Sequence, residues 1–174
     1  TSAKIIGVSA ADGKLLWELP FKTSYEQNIL TPLVVQDTVL FAGYHMPLRA
    51  FRFGTDGDVV TAKRLWECEE VSMYMSSPVV VGAHLYALDQ GGGGRLVCVS
   101  LADGQRAWKS ASKLGEYASL VAAGDKVLAL DTDGELTVFA ADPIACKELA
   151  HVTLTKRSVW AHLAVTPTHL FVKD

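Results

Sequence analysis

Leu96-Val97-Cys98-Val99-Ser100-Leu101-Ala102-Asp103-Gly104-Gln105-Arg106-Ala107-Trp108 is the stretch from which the rest of the chain is read. An apolar run leads into Asp-Gly, a short second run follows, and a tryptophan stands four residues past the glycine. The same phrase opens the chain as Ile5-Ile6-Gly7-Val8-Ser9-Ala10-Ala11-Asp12-Gly13-Lys14-Leu15-Leu16-Trp17. Glycine takes positive φ without a Cβ clash, so Asp-Gly between two apolar runs signals an antiparallel hairpin. Trp17 to Trp66 is 49 residues, Trp66 to Trp108 is 42, and 41 further lies Leu149, in the weaker phrase Val138-Phe139-Ala140-Ala141-Asp142. A period in the forties filled with strand-like segments indicates a β-propeller or a solenoid.

A second phrase keeps the same register. Thr31-Pro32-Leu33-Val34-Val35 matches Ser77-Pro78-Val79-Val80-Val81, Ser119-Leu120-Val121-Ala122-Ala123 and His162-Leu163-Ala164-Val165-Thr166. Each copy runs into a two-residue turn, at Gln36-Asp37, Gly82-Ala83, Gly124-Asp125 and Pro167-Thr168, and then into another apolar run. Each full unit reads as four short strands. The first is apolar enough to be buried on both faces. The second follows the tight turn, and the third and fourth flank Asp-Gly, the fourth ending at tryptophan.

The fold class is therefore all-β, a propeller of four-stranded antiparallel blades. One propeller segment is expected over residues 1–174, with blade parts near 4–18, 28–67, 74–109, 116–149 and 160–174. The first part holds only third and fourth strands, and the last only first and second. Together they amount to one composite blade, about four blades in all. Propellers have four to eight blades, and open sheet edges attract partners. The chain is expected to be half of an eight-bladed ring, completed by more of the same polypeptide or by a second copy; the alternative is a four-bladed ring that closes alone.

Composition narrows the function classes. The hydrophobic share is 49% and the charged share 20%, as in a globular chain. A net charge of −3 leaves no basic footprint for nucleic acid. No apolar run approaches the roughly 18 residues of a transmembrane segment. Cys68, Cys98 and Cys146 fall in three different repeats without a C-x-x-C pair, so they read as buried thiols, not as a metal or disulfide framework.

These phrases resemble the repeat of the pyrroloquinoline-quinone (PQQ) dehydrogenases and their non-enzymatic relatives: a small residue, a variable pair, Asp-Gly or Thr-Gly, three residues, then tryptophan. The stretches from Gly7 to Trp17 and from Cys98 to Trp108 match it well. From Ala50 to Trp66 it is present with an insertion, since nine steps separate Gly57 from Trp66, and residues 138–149 lack both the glycine and the tryptophan. The resemblance implies that Trp17, Trp66 and Trp108, with Gly13 and Gly104, form a structural outer ring in which each indole docks on the neighbouring blade. It also implies a periplasmic or extracellular location. Enzymes of the family imply PQQ, a calcium ion, an aspartate base and often a vicinal disulfide. Here no two cysteines are adjacent, and no carboxylate cluster with a ligand-spaced asparagine stands out. Scaffold relatives resemble outer-membrane protein assembly lipoproteins.

Gly91-Gly92-Gly93-Gly94 runs into a strand-like segment, where a phosphate loop needs a helix, so it reads as a hairpin loop. Tyr44-His45-Met46 lacks the further ligands a metal needs and reads as a surface loop. The segments before each first strand are the better binding candidates, because in propellers they face one end of the central channel. Aligned on the second phrase, they place Thr31, Ser77, Ser119 and His162 at one position, and Tyr117 and Trp160 two residues earlier; Tyr74 lies four residues before Pro78. Aromatic, hydroxyl and amide groups together suit a binding face; the competing reading is that the small hydroxyls pack in the narrow funnel. The expected function is a non-catalytic module for protein or ligand binding, or for assembly, at the rim of the channel, with no cofactor. The alternatives are a fragment of a PQQ- and calcium-dependent dehydrogenase, and a structural subunit of a larger secreted complex.

Overall fold

A computed structural model describes residues 1–56 and 59–174. Its strands are β1 (Lys4–Val8), β2 (Leu15–Pro20), β3 (Leu33–Val35), β4 (Thr38–Gly43), β5 (Met46–Asp56), β6 (Val59–Ser72), β7 (Val79–Val81) and β8 (His84–Asp89). They continue as β9 (Arg95–Ser100), β10 (Arg106–Lys109), β11 (Ala118–Ala123), β12 (Lys126–Asp131), β13 (Glu135–Ala140), β14 (Glu148–Thr153), β15 (Ala164–Val165) and β16 (Leu170–Phe171). Three four-stranded antiparallel sheets, β3–β6, β7–β10 and β11–β14, are flanked by the two-stranded sheets β1–β2 and β15–β16. Each sheet is a meander. Among the described residues β1 pairs only with β2, and β16 only with β15, so the blades form a partial propeller without ring closure.

The turns follow from their residues. Val35↔Thr38, Val81↔His84 and Ala123↔Lys126 close two-residue turns. Their first central residues, Gln36, Gly82 and Gly124, hold φ of 55°, 60° and 62°, the left-handed backbone that a twisted hairpin requires. The Asp-Gly turns are longer. Ser9 N–H donates to Lys14 O at 2.8 Å and Ser100 N–H to Gln105 O at 2.9 Å, so each loop holds four residues. Hydrogen bonds from Ser100 and the Gln105 amide hold the Asp103 carboxyl below the usual carboxylate range.

The core lies between blades. Leu40, Leu48, Trp66, Leu85, Val97 and Val99 pack at one boundary, and Leu88, Leu96, Leu120 and Phe139 at the next. In β8, Leu85 and Ala87 face one neighbouring blade while Tyr86 and Leu88 face the other, the period-2 alternation of a strand between two layers. The expectation that first strands are buried on both faces is corrected: β3 and β7 are at most half-buried and β11 is buried only in its first half, whereas β8, β9 and β12 are nearly fully buried. A first strand is the edge of its sheet and has a strand on one side only, while the middle strands are enclosed on all sides.

The indole position has a ladder signature. Trp17 pairs with Gly7, Trp66 with Ala50 and Trp108 with Cys98, each beside a β-bulge. The small residue of the repeat is the cross-strand partner that leaves room for the ring. In the next blade Ala150 pairs with Val138, so Ala150, not Leu149, is the tryptophan equivalent. The inserted residues between Ala50 and Trp66 lengthen the β5–β6 ribbon, which stays paired out to Asp56↔Val59; Gly57 lies outside the described residues.

Candidate functional site

The repeat tryptophans tie each blade to the next. Trp66 Nε1 donates to Leu101 O at 2.9 Å across a blade boundary, and Trp108 Nε1 to Asp142 O at 2.8 Å. Trp17 stacks on Phe53 of the following blade, with ring centroids 4.0 Å apart. Gly104 shows why that position lacks a side chain: its φ is +75°, and a Cβ there would lie 2.5 Å from Cε3 of Trp66. At Gly13, with φ +73°, nothing lies within 4 Å.

The connections from fourth to first strands (residues 21–32, 73–78, 110–117 and 154–163) share one end of the blades with the turns from second to third strands. That end is the rim named from sequence. Tyr74 packs on Tyr44 at 4.9 Å, and Tyr117 stacks on Trp160 at 5.7 Å with planes 24° apart. Trp160 is 59% exposed, and burial pushes the Tyr117 hydroxyl above its usual pKa. The rim thus brings together two aromatic pairs, each joining elements from two successive blades.

The hydroxyl positions behave differently. Ser119 is buried; its Oγ accepts Leu163 N–H at 2.8 Å and lies 3.1 Å from His162 Nδ1. One blade earlier Ser76, not Ser77, makes the equivalent strut, accepting Ala118 N–H at 3.0 Å. Thr31, Ser77 and His162 are exposed. A buried serine oxygen already bonded to a backbone amide offers no accessible nucleophile, so Ser119 and His162 form an inter-blade contact.

Buried polar groups fix the rim loops. Asp89, 1% exposed, accepts Ser72 N–H at 3.0 Å and pairs with Lys109 Nζ at 2.6 Å; Lys109 also donates to Gly91 O. The Gly91–Gly94 turn leads into β9, as a hairpin loop should, and Gly94 is held under Gly115, whose carbonyl oxygen lies 1.6 Å from where a Cβ would stand. Residues 21–28 are fixed by Asn28: Oδ1 accepts the Thr23 amide and hydroxyl, and Nδ2 donates to Phe21 O and Thr1 O.

Tyr25, Gln27, Tyr44, Tyr74, Gln90 and Glu116 line a shallow groove of about 480 Å3 at this end. Tyr25, Gln27 and Gln90 escaped the sequence reading, because the repeat alignment marks positions near the first strand and these belong to loops that differ from blade to blade. Among the described residues no three His, Cys, Asp or Glu side chains gather to hold a metal ion, and the three cysteines are unpaired. Among the described residues no helix is long and apolar enough to cross a membrane.

Tryptophan-docked four-stranded blades with loops gathered at one end define a β-propeller built from PQQ-type repeats. A family model described as outer membrane protein assembly factor BamB matches residues 1–110, and the chain belongs to this family. Among solved structures, BamB from Moraxella catarrhalis aligns with a TM-score of 0.52 at 15% identity, over 100% of this chain and 62% of that one. That likeness shows the fold, and this chain spans 62% of the length of the Moraxella protein. A computationally designed protein, Ika8, aligns at a TM-score of 0.33 and 10% identity, over 98% of this chain and 87% of its own, and carries no argument. No curated protein matches.

Proposed function

We propose that the chain is a non-catalytic binding or assembly module whose working surface is the rim, and that its partner is a protein. The observation that carries this reading is the pairing of Tyr44 with Tyr74 and of Tyr117 with Trp160 at one end of successive blades. Aromatic rings on loops anchored to a rigid scaffold are the usual anchors of protein interfaces. Rim loops tied by Asp89 and Asn28 lose little freedom on binding, which favours recognition. The family description, an outer membrane assembly factor, supports a protein partner and a periplasmic or extracellular location. We further propose that the unpaired edges of β1 and β16 meet strands of further blades, from the same polypeptide or a second copy, since exposed strand edges seek pairing.

The test compares charge substitutions at the two ends. Tyr74→Glu and Trp160→Glu should abolish co-purification with a defined envelope partner, while Ala83→Glu and Asp125→Lys at the opposite turns should leave it intact, all four remaining folded by circular dichroism. Equal loss at both ends would reject the rim. Adding PQQ and calcium addresses the dehydrogenase reading: quinone-dependent dye reduction would overturn a non-catalytic role.

A further inference from the structure

We propose that the groove lined by Tyr25, Tyr44, Tyr74 and Gln90 binds a proline-rich segment of the partner in the polyproline II conformation; this rests on the rim reading and names its ligand. Backbone strain points to this groove. Tyr25 and Glu26 both hold φ of 58° and His45 of 56°, a region that residues with bulky side chains seldom adopt. Gln36, the remaining described non-glycine residue with positive φ, sits in a two-residue hairpin turn where that backbone is the rule. Strain of this kind persists where the surroundings over-determine it, and it clusters at ligand sites. Here the surroundings are visible: Asn28 fixes one loop through four hydrogen bonds. The His45 ring sits edge-on to Tyr44 at 4.1 Å in the other. Both strained loops present tyrosines to one groove, and Tyr25 stands 86% exposed.

The chemistry of the lining selects the ligand. Tyr44 and Tyr74 pack on each other at 4.9 Å with planes 48° apart, so together they make one adjoining aromatic wall of the groove. A polyproline II segment offers flat pyrrolidine rings to lie against such a wall and carbonyls with no internal partners, and it is already ordered before binding. Three tyrosine hydroxyls and the Gln27 amide supply donors for those carbonyls. Strand addition needs a free sheet edge, whereas this groove is built from loops. A cationic side chain is disfavoured, because the one carboxylate in the lining, Glu116, shares the groove edge with Lys113, which reaches over Gly93. Glu26 is engaged by Lys22 at 3.1 Å.

The probe is a fluorescently labelled octaproline peptide, titrated against the full chain by anisotropy, with a Gly-Ser octamer as control and chitohexaose as competitor. Octaproline should bind ~10-fold or more tighter than the control, the factor that well-placed aromatic contacts supply. Tyr74→Ala should remove most of that preference while Tyr74→Phe keeps it within ~3-fold, since the ring face does most of the packing. Tyr25→Ala, at an exposed position, reports in the same way should Tyr74→Ala fail to fold. Equal binding of the two peptides, or octaproline binding indifferent to Tyr74→Ala and Tyr25→Ala, overturns the proposal, as does displacement by chitohexaose. Panning a displayed random-peptide library against the chain, with counter-selection on Tyr74→Ala, separates the two levels. Enriched proline-rich peptides support both. Enriched peptides without proline reject this ligand but keep the rim. No enriched peptide whose binding depends on Tyr74 rejects both.

Discussion

Gly104→Ala tests how the blades are locked together, and its cost can be worked from the geometry. Two penalties apply. The residue holds φ of +75°, where an L side chain costs about 1–2 kcal/mol. The new methyl would also sit 2.5 Å from Cε3 and 2.7 Å from Cδ2 of Trp66. The indole is 8% exposed and tethered to Leu101 O, so it cannot swing away freely. Forcing a methyl into such a contact costs about 1–3 kcal/mol. The total expected loss is therefore about 2–5 kcal/mol. Gly13→Ala is the internal control, because its φ of +73° is the same while nothing lies within 4 Å; it should lose only the backbone part, about 1–2 kcal/mol. Urea denaturation followed by far-ultraviolet circular dichroism measures both without relying on tryptophan emission. In a Trp66→Ala background, Gly104→Ala should fall to the Gly13→Ala value, since the clashing partner is gone. Equal losses for the two glycines in the wild-type background would refute the docking account.

Three further outcomes are expected. Trp108→Ala should cost about 3–5 kcal/mol, as for large core truncations, whereas Trp108→Phe, which loses chiefly the bond to Asp142 O, should lose less; near-wild-type melting of the alanine variant would show that the indole is no dock. Burial pushes the Cys98 thiol up to about 11 and those of Cys68 and Cys146 upward as well. Cys68 and Cys98 are also enclosed whereas Cys146 is half-buried, so a thiol reagent should modify Cys146 first in the folded chain, and rapid native labelling of Cys98 would contradict its placement. Burial also raises the Asp131 carboxyl, although the Asp133 and Glu135 amides donate to it. A folded-state pKa above the unfolded one gives stability that is present in acid and lost as pH rises through the folded pKa. The stability of Asp131→Asn relative to wild type should thus increase as pH rises above the ordinary carboxylate range, checked by urea midpoints, and a flat or falling difference would contradict the burial.

Much of the fold was legible because the repeat writes both halves of each blade. The four-residue spacing from Gly104 to Trp108 encodes a hairpin and its dock, and the turns at Gln36, Gly82 and Gly124 encode the register. Burial of the first strands was not legible, since an apolar run such as Val79-Val80-Val81 looks the same at an inner edge as in the middle of a sheet. Leu149 was misassigned because spacing alone does not report the bulge that puts Ala150 opposite Val138. The rim was legible in its periodic part: Tyr74, Tyr117 and Trp160 do face one end. Its non-periodic part was not, because Tyr25 and Tyr44 owe their placement to strained loops, a conformation that leaves no periodic mark in sequence. Nor could sequence separate buried Ser119 from exposed Ser77, since a serine that struts two blades and one that faces solvent are the same residue at the same repeat position.

The measurement that bears most directly on the central claim is site-specific photo-crosslinking in cells that make the chain, with a benzophenone amino acid at Tyr74 or Trp160 on the rim and at Ala83 or Asp125 at the opposite end. Discrete crosslinked protein adducts are expected from Tyr74 and Trp160, and none from Ala83 or Asp125. Adducts confined to Ala83 and Asp125, with a silent rim, would contradict that claim.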